Sequence, residues 1–115
     1  MKARIYHNPR CSKSRATLRL LEERGVDVEV IEYLRKPLSR AELTRLVGKL
    51  GLDARDLVRS AEPEFGAAGI SLDSPADELL DLLAAVPKLL QRPIVEVGER
   101  ARIGRPPERV LELLA

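Results

Sequence analysis

The sequence predicts an α/β domain: a mixed four-stranded sheet with helices on its faces. Two observations predict it. The first third of the chain reads strand, loop, helix, strand, which is a βαβ unit with parallel strands and a right-handed crossover. Near the end, Ile94–Val97 and Ala101–Ile103 flank Gly98-Glu99 and read as a hairpin, with a final helix after it. The order βαβ, helices, ββα places antiparallel and parallel pairs in one sheet.

Each element has a local reason. Lys2–Tyr6 alternates Ala3 and Ile5 with Arg4 and Tyr6, the period of a half-buried strand. His7-Asn8-Pro9-Arg10 is a loop, because Asn-Pro favours a turn. Ser12–Arg24 is a helix carrying Ala16 and Leu20, and Leu18 and Leu21, with Gly25 placed for a left-handed end. Val28–Ile31 is mostly β-branched and reads as the second strand. Ser39 and Glu42 form a capping box for a helix with Leu43, Leu46, Val47 and Leu50 on one stripe and Gly51 at its end. Asp53 caps a short helix reaching about Arg59, and the Gly- and Ala-rich stretch Glu62–Ser71 is expected to be a loop. Ser74-Pro75 is expected as an N-cap followed by the first helical residue, with Leu79, Leu82, Leu83 and Val86 as the apolar stripe and Pro87 as its interruption. Pro106-Pro107 opens the last helix, which carries Val110, Leu111, Leu113 and Leu114.

Composition narrows the function. At 115 residues the chain is expected to form a single domain, 1–115, long enough to hold a core without staples. Charged residues make up 33%, yet they cancel to +2, whereas a nucleic-acid-binding domain shows a concentrated basic excess. Aromatics are 3% with no Trp, too few for base-stacking platforms. The longest apolar run, Leu82–Val86, is far short of the ~20 residues of a membrane span. No apolar segment follows Lys2 and Arg4, so no secretory signal is expected and the protein is read as soluble and cytoplasmic. No nucleic-acid or membrane partner is expected.

Cys11 is the sole cysteine and His7 the sole histidine. No internal disulfide can form, and no zinc ligand set exists, so no metal is expected. Cys11 follows the first strand and opens the first helix, where free N–H groups stabilise thiolate over thiol. A buried structural cysteine is the other reading of that position. Its neighbours Ser12, Lys13 and Ser14 are small or basic, which favours the reactive one. Most arginines are surface charge. Arg92 and Arg105 differ in preceding a proline and in flanking the hairpin, and Arg59 closes a short helix. His7, alone in a loop, reads as exposed. Ser39 and Ser74 read as caps.

The run Tyr6-His7-Asn8-Pro9-Arg10-Cys11-Ser12-Lys13-Ser14 closely resembles the start of the glutaredoxin-coupled arsenate reductase family, whose members carry HNPxC-x-x-S there. The resemblance spans essentially the whole chain and includes Tyr33–Pro37, Leu57-Val58-Arg59, Arg92-Pro93-Ile94-Val95 and Gly104-Arg105-Pro106. The Ser12-Lys13 pair departs from the Gly-Thr of some members, and Spx-type adaptors are relatives. The resemblance implies a thioredoxin-like fold with a helical insertion between strands two and three. It implies Cys11 as catalytic nucleophile, with His7 and Ser14 assisting it. Ser14 would do so through its hydroxyl on the sulfur. Arg59, Arg92 and Arg105 become the arginines that bind the oxyanion, and Pro93 the proline that is usually cis.

The activity implied is reduction of arsenate to arsenite by a single cysteine nucleophile. No cofactor is bound. Glutathione is the co-substrate and a glutaredoxin the partner thiol, because one cysteine cannot resolve its own adduct. A monomer is expected. Two other readings stand beside it: a glutathione-dependent thiol oxidoreductase of another substrate, and an Spx-like regulatory adaptor binding RNA polymerase. Spx-type switches use a CxxC pair, and Cys11-Ser12-Lys13-Ser14 lacks the second thiol.

Overall fold

A computed structural model describes residues 1–114. The chain forms two compact units. The first comprises Met1–Lys36 and the stretch from Arg92 onward, and the second comprises Pro37–Gln91.

The first unit holds the sheet. Strand β1 (Lys2–His7) pairs in parallel with β2 (Asp27–Glu32), from Lys2 opposite Asp27 to His7 opposite Glu32. Helix α1 (Ser12–Glu23) makes the crossover between them. Its end is a Schellman motif: Gly25, at φ 71°, donates to Glu22 O, and Val26 donates to Leu21 O. Strand β3 (Ile94–Val97) runs antiparallel to β1, with Tyr6 opposite Ile94, and β4 (Arg100–Ile103) returns antiparallel to β3. Gly98, at φ 58°, supplies the positive φ that the tight β3–β4 turn requires. The sheet order is β2-β1-β3-β4, the thioredoxin-like arrangement.

The period-2 pattern of β1 decides what it covers. Ala3 and Ile5 join Leu21 of α1, Val95 of β3, and Val110 and Leu113 in one core. Val110 and Leu113 come from Pro107–Leu114, which is a 3-10 helix rather than the α-helix expected. Burying each such aliphatic side chain is worth roughly 1.5–3 kcal/mol. This core packs α1, and with it the segment that carries Cys11, against the central strand.

The second unit is helical and lies in sequence between β2 and β3. Helix α2 (Arg40–Leu50) begins with the expected capping box, Ser39 Oγ accepting from Glu42 N and Glu42 Oε1 accepting from Ser39 N. A 3-10 helix, Ala54–Leu57, follows with a second box from Asp53 and Asp56. The expected loop at Glu62–Ser71 contains a short helix, α3 (Pro63–Ala67), started by Pro63 at its first position. Helix α4 (Ala76–Ala85) has Pro75 as its N-cap, not Ser74, whose Oγ instead accepts from Ser71 N and closes the preceding turn. Leu79, Leu80 and Leu83 are its buried face, while Leu82 is half-buried. Arg40 joins α2 to α4 by ion pairs to Asp77 and, at 3.0 Å, Asp81. No helix among the described residues is long and apolar enough to cross a membrane.

Candidate functional site

In the first unit, three chain segments meet one end of the sheet. Parallel β1 finishes there, antiparallel β3 starts there, and β4 finishes there, since Ile103 pairs with Ile94. The segments carry Cys11 after β1, Arg92 before β3 and Arg105 after β4. The topology, not local sequence, brings them to one edge. This is the carboxyl end of the parallel pair, the usual ligand end of an α/β sheet.

The loop into α1 is braced by its own backbone. Asn8 O accepts from Cys11 N at 3.0 Å, and Asn8 Oδ1 accepts from Arg10 N at 3.0 Å. Arg15 Nη1 donates to Pro9 O at 2.9 Å, and Arg15 N to Cys11 O. Cys11 occupies the N-cap position in extended conformation, half-buried.

Opposing effects act on the Cys11 thiol. Burial pushes its pKa up, and this is the largest single effect. Four favourable ones together outweigh it: the Ser14 backbone N–H, the Arg92 charge, the Lys13 backbone N–H and hydrogen bonding from Arg92. Neither N–H closes a conventional capping hydrogen bond with the Cys11 side chain. The net result is a pKa below the ordinary thiol value.

Arg92 is half-buried, and its Nε and Nη1 are buried with no hydrogen-bond partner. Unpaired buried guanidinium donors are rare and costly in proteins. The Arg92–Pro93 peptide is cis, as the resemblance implied, and Arg105–Pro106 is cis as well. Arg105 is exposed.

Gly104 locks this edge together. A Cβ at Gly104 would stand 2.6 Å from Thr17 Oγ1 and 2.9 Å from Pro93 Cγ. Gly104 N donates to Pro93 O at 2.9 Å. Thr17 is buried on α1 and donates to Lys13 O. The Arg105 loop, the Arg92–Pro93 loop and the first turns of α1 are therefore held in direct contact through a position that only glycine fits.

His7 is buried, at 6% exposure, and not exposed as a lone loop histidine would be. It is the last residue of β1 rather than the first of the loop. Its Nδ1 lies 2.6 Å from Ser14 Oγ, which also accepts from Asn8 N at 3.0 Å. The Ser14 hydroxyl thus serves His7 and Asn8, and it is the Ser14 backbone N–H that acts on the sulfur. Burial is the main cause that lowers the His7 pKa; Glu32 opposes it and Arg15 adds to it.

Arg59 belongs to the second unit. There its N donates to Leu89 O at 2.7 Å, beside the Val58–Leu90 bridge, and its guanidinium pairs with Glu62 at 2.8 Å. Sequence reasoning missed the bracing by Arg15 and the packing of Thr17 against Gly104. The tripeptide Gly104-Arg105-Pro106 carried a signal for the latter, a glycine bordering a strand end.

Residues 6–113 match the model of the ArsC family. The protein YfgD of Escherichia coli (strain K12) is 48% identical, over 96% of this chain and 95% of its own. An arsenate reductase of Neisseria meningitidis serogroup B is 46% identical, over 96% of this chain and 97% of its own. Among solved structures, an arsenate reductase from Vibrio cholerae superposes with a TM-score of 0.92 at 47% identity, over 97% of each chain. With the matched model covering nearly the whole sequence and relatives of 46–48% identity aligned over almost their full length, the chain belongs to the ArsC family.

Proposed function

We propose that the protein is an arsenate reductase with Cys11 as its nucleophile. The observation that carries this reading is the pairing of a thiol held below its ordinary pKa with Arg92, whose Nε and Nη1 are buried and unpartnered. A tetrahedral oxyanion supplies the acceptors those donors lack, and a planar guanidinium binds such oxygens bidentately. Without a fixed cation, thiolate and oxyanion would repel each other.

The Cys11 thiolate attacks arsenic, an arsenic–oxygen bond breaks, and water leaves after protonation. Arg92 and Arg105 bind the remaining oxygens, and the family resemblance assigns Arg59 the same role. Ser14 and His7 position the loop that carries Cys11. With no second protein cysteine, glutathione adds its thiol to arsenic. A glutaredoxin thiol then attacks the glutathione sulfur. The glutathione–arsenic bond breaks and leaves its electron pair on arsenic, the Cys11–arsenic bond then breaks to return the Cys11 thiolate and release arsenite, and the glutaredoxin–glutathione disulfide carries the oxidation away. The sum is arsenate and two thiols giving arsenite, one disulfide and water. No bound cofactor is needed, and the chain acts as one domain in the cytoplasm.

The test is a coupled assay with arsenate, glutathione, a glutaredoxin, glutathione reductase and NADPH. Arsenate-dependent NADPH oxidation that requires Cys11 supports the proposal. A folded protein inactive across glutaredoxins points instead to a glutathione-dependent thiol oxidoreductase with another substrate.

A further inference from the structure

Cys11 has two sides. It follows the inner strand β1, with β3 on one flank and β2 on the other. The β3 flank carries Arg92. On the β2 flank lies a cavity of about 200 Å³ that the mechanism above does not use. One wall is His7 and the loop Asn8-Pro9-Arg10, immediately before Cys11. The other wall is Glu32 at the end of β2 with Leu34 and Arg35 just beyond it.

We propose that this cavity seats one end of the peptide thiol reductant, with Arg10 and Arg35 taking a carboxylate and Glu32 an ammonium group. The identity of the ligand rests on the reading under Proposed function. Three observations carry the assignment.

The first is charge. The walls hold two guanidiniums and a carboxylate, with Arg35 Nε 3.8 Å from Glu32 Oε1. That mixture suits a zwitterion. A second oxyanion would face the carboxylate of Glu32 as well as the arginines, and like charges repel. Leu34, 46% exposed, adds an apolar contact for a methylene stem.

The second is size. Whole small-molecule sites span roughly 300–1,000 Å³. This cavity is smaller, so it takes an amino-acid-sized end and leaves the rest of the ligand outside. Arg10 and Cys11 are chain neighbours, with Cα atoms ~3.8 Å apart. A carboxylate one residue from a peptide's thiol can therefore be held while the sulfur reaches the Cys11 adduct.

The third is approach. With the arsenic oxygens held from the β3 flank, the incoming thiolate has to arrive from elsewhere. The β2 flank is the other side of the same strand. Its wall is already ordered, because Asn8 fixes Arg10 N and Cys11 N, and Arg15 fixes Pro9 O. A preordered wall reduces the entropic cost of binding.

The experiment uses S-methylglutathione, which cannot react, titrated into the labelled whole protein and followed by NMR chemical shifts. Shifts confined to residues 8–10 and 32–35 are expected, with millimolar affinity weakened tenfold or more in Arg35→Glu and Arg10→Glu. In the coupled assay the same substitutions should raise the glutathione KM tenfold or more without raising the arsenate KM. Arg45→Glu, on the exposed side of α2, is the charge control and should change neither. Shifts centred on Pro93 and Gly104, or no binding, overturn the inference. Inactivity with arsenate but retained binding at residues 8–10 and 32–35 keeps this inference and defeats the arsenate reading instead.

Discussion

His7 Nδ1 sits 2.6 Å from Ser14 Oγ, both side chains buried, joining the last residue of β1 to the first turn of α1. The same oxygen accepts from Asn8 N. Ser14→Ala leaves a buried ring nitrogen and a backbone N–H without that partner. Each unsatisfied group costs about 1–3 kcal/mol. We expect Ser14→Ala to lose stability on that scale in urea or guanidinium unfolding, more than loss of an exposed hydroxyl would cause. A change below half a kcal/mol would contradict the proposed role of this oxygen.

The same pair gives a pH dependence. Burial holds the His7 pKa below its unfolded value of about 6.5. Between the two values the unfolded chain binds the extra proton and the folded one does not, so stability rises with pH through that window. Stability is therefore lost as pH falls from about 6.5 toward the folded His7 value. Unfolding midpoints from pH 5 to 7.5 should show this slope, and His7→Gln should flatten it.

Cys11 should alkylate with a midpoint below the ~8.5 of a free thiol. Arg92→Ala removes the charge and the hydrogen bonding that help lower it, and the midpoint should rise. Arg92→Lys keeps charge but not the fork. It should hold most of the pKa shift while kcat/KM for arsenate falls about tenfold or more. Cys11→Ser should abolish turnover. Arg45→Lys is the control; Arg40 is unsuitable because it pairs with Asp77 and Asp81.

Gly104→Ala should destabilise the fold by about 1–3 kcal/mol through overpacking. The added carbon meets Thr17 Oγ1 and Cγ2 and Pro93 Cγ. Thr17→Ala removes the two threonine atoms. Destabilisation in the double variant should be less than the sum of the singles, and strict additivity would argue that the contact is not shared.

Most of the fold was legible where the signal was local. The Ser39–Glu42 box, the Gly25 cap and the Gly98 turn each depend on neighbours a few residues away, and all three formed. The five-residue helix Pro63–Ala67 is too short to show a hydrophobic period inside a Gly- and Ala-rich stretch. Ser74 looked like a cap because serine before proline usually is, but its hydroxyl found Ser71 N first. At the site, Cys11 and Arg92 were marked by strand ends and a following proline. The burial of His7 was not, since one more strand residue moved it from the loop into β1. Arg40 bonds residues 37 and 41 positions away, and no pattern along the chain announces that.

Cys11 follows an interior strand, β1, paired on both flanks, whereas Arg105 follows the edge strand β4. Amides in doubly paired strands open only with much of the sheet, while edge amides exchange through small local fluctuations. Cys11 therefore follows a strand whose amides are expected to open only with the sheet, and Arg105 one whose outer amides are expected to open locally. An end of a sheet built this way has one side free to shift on its own and one side that moves only with the sheet.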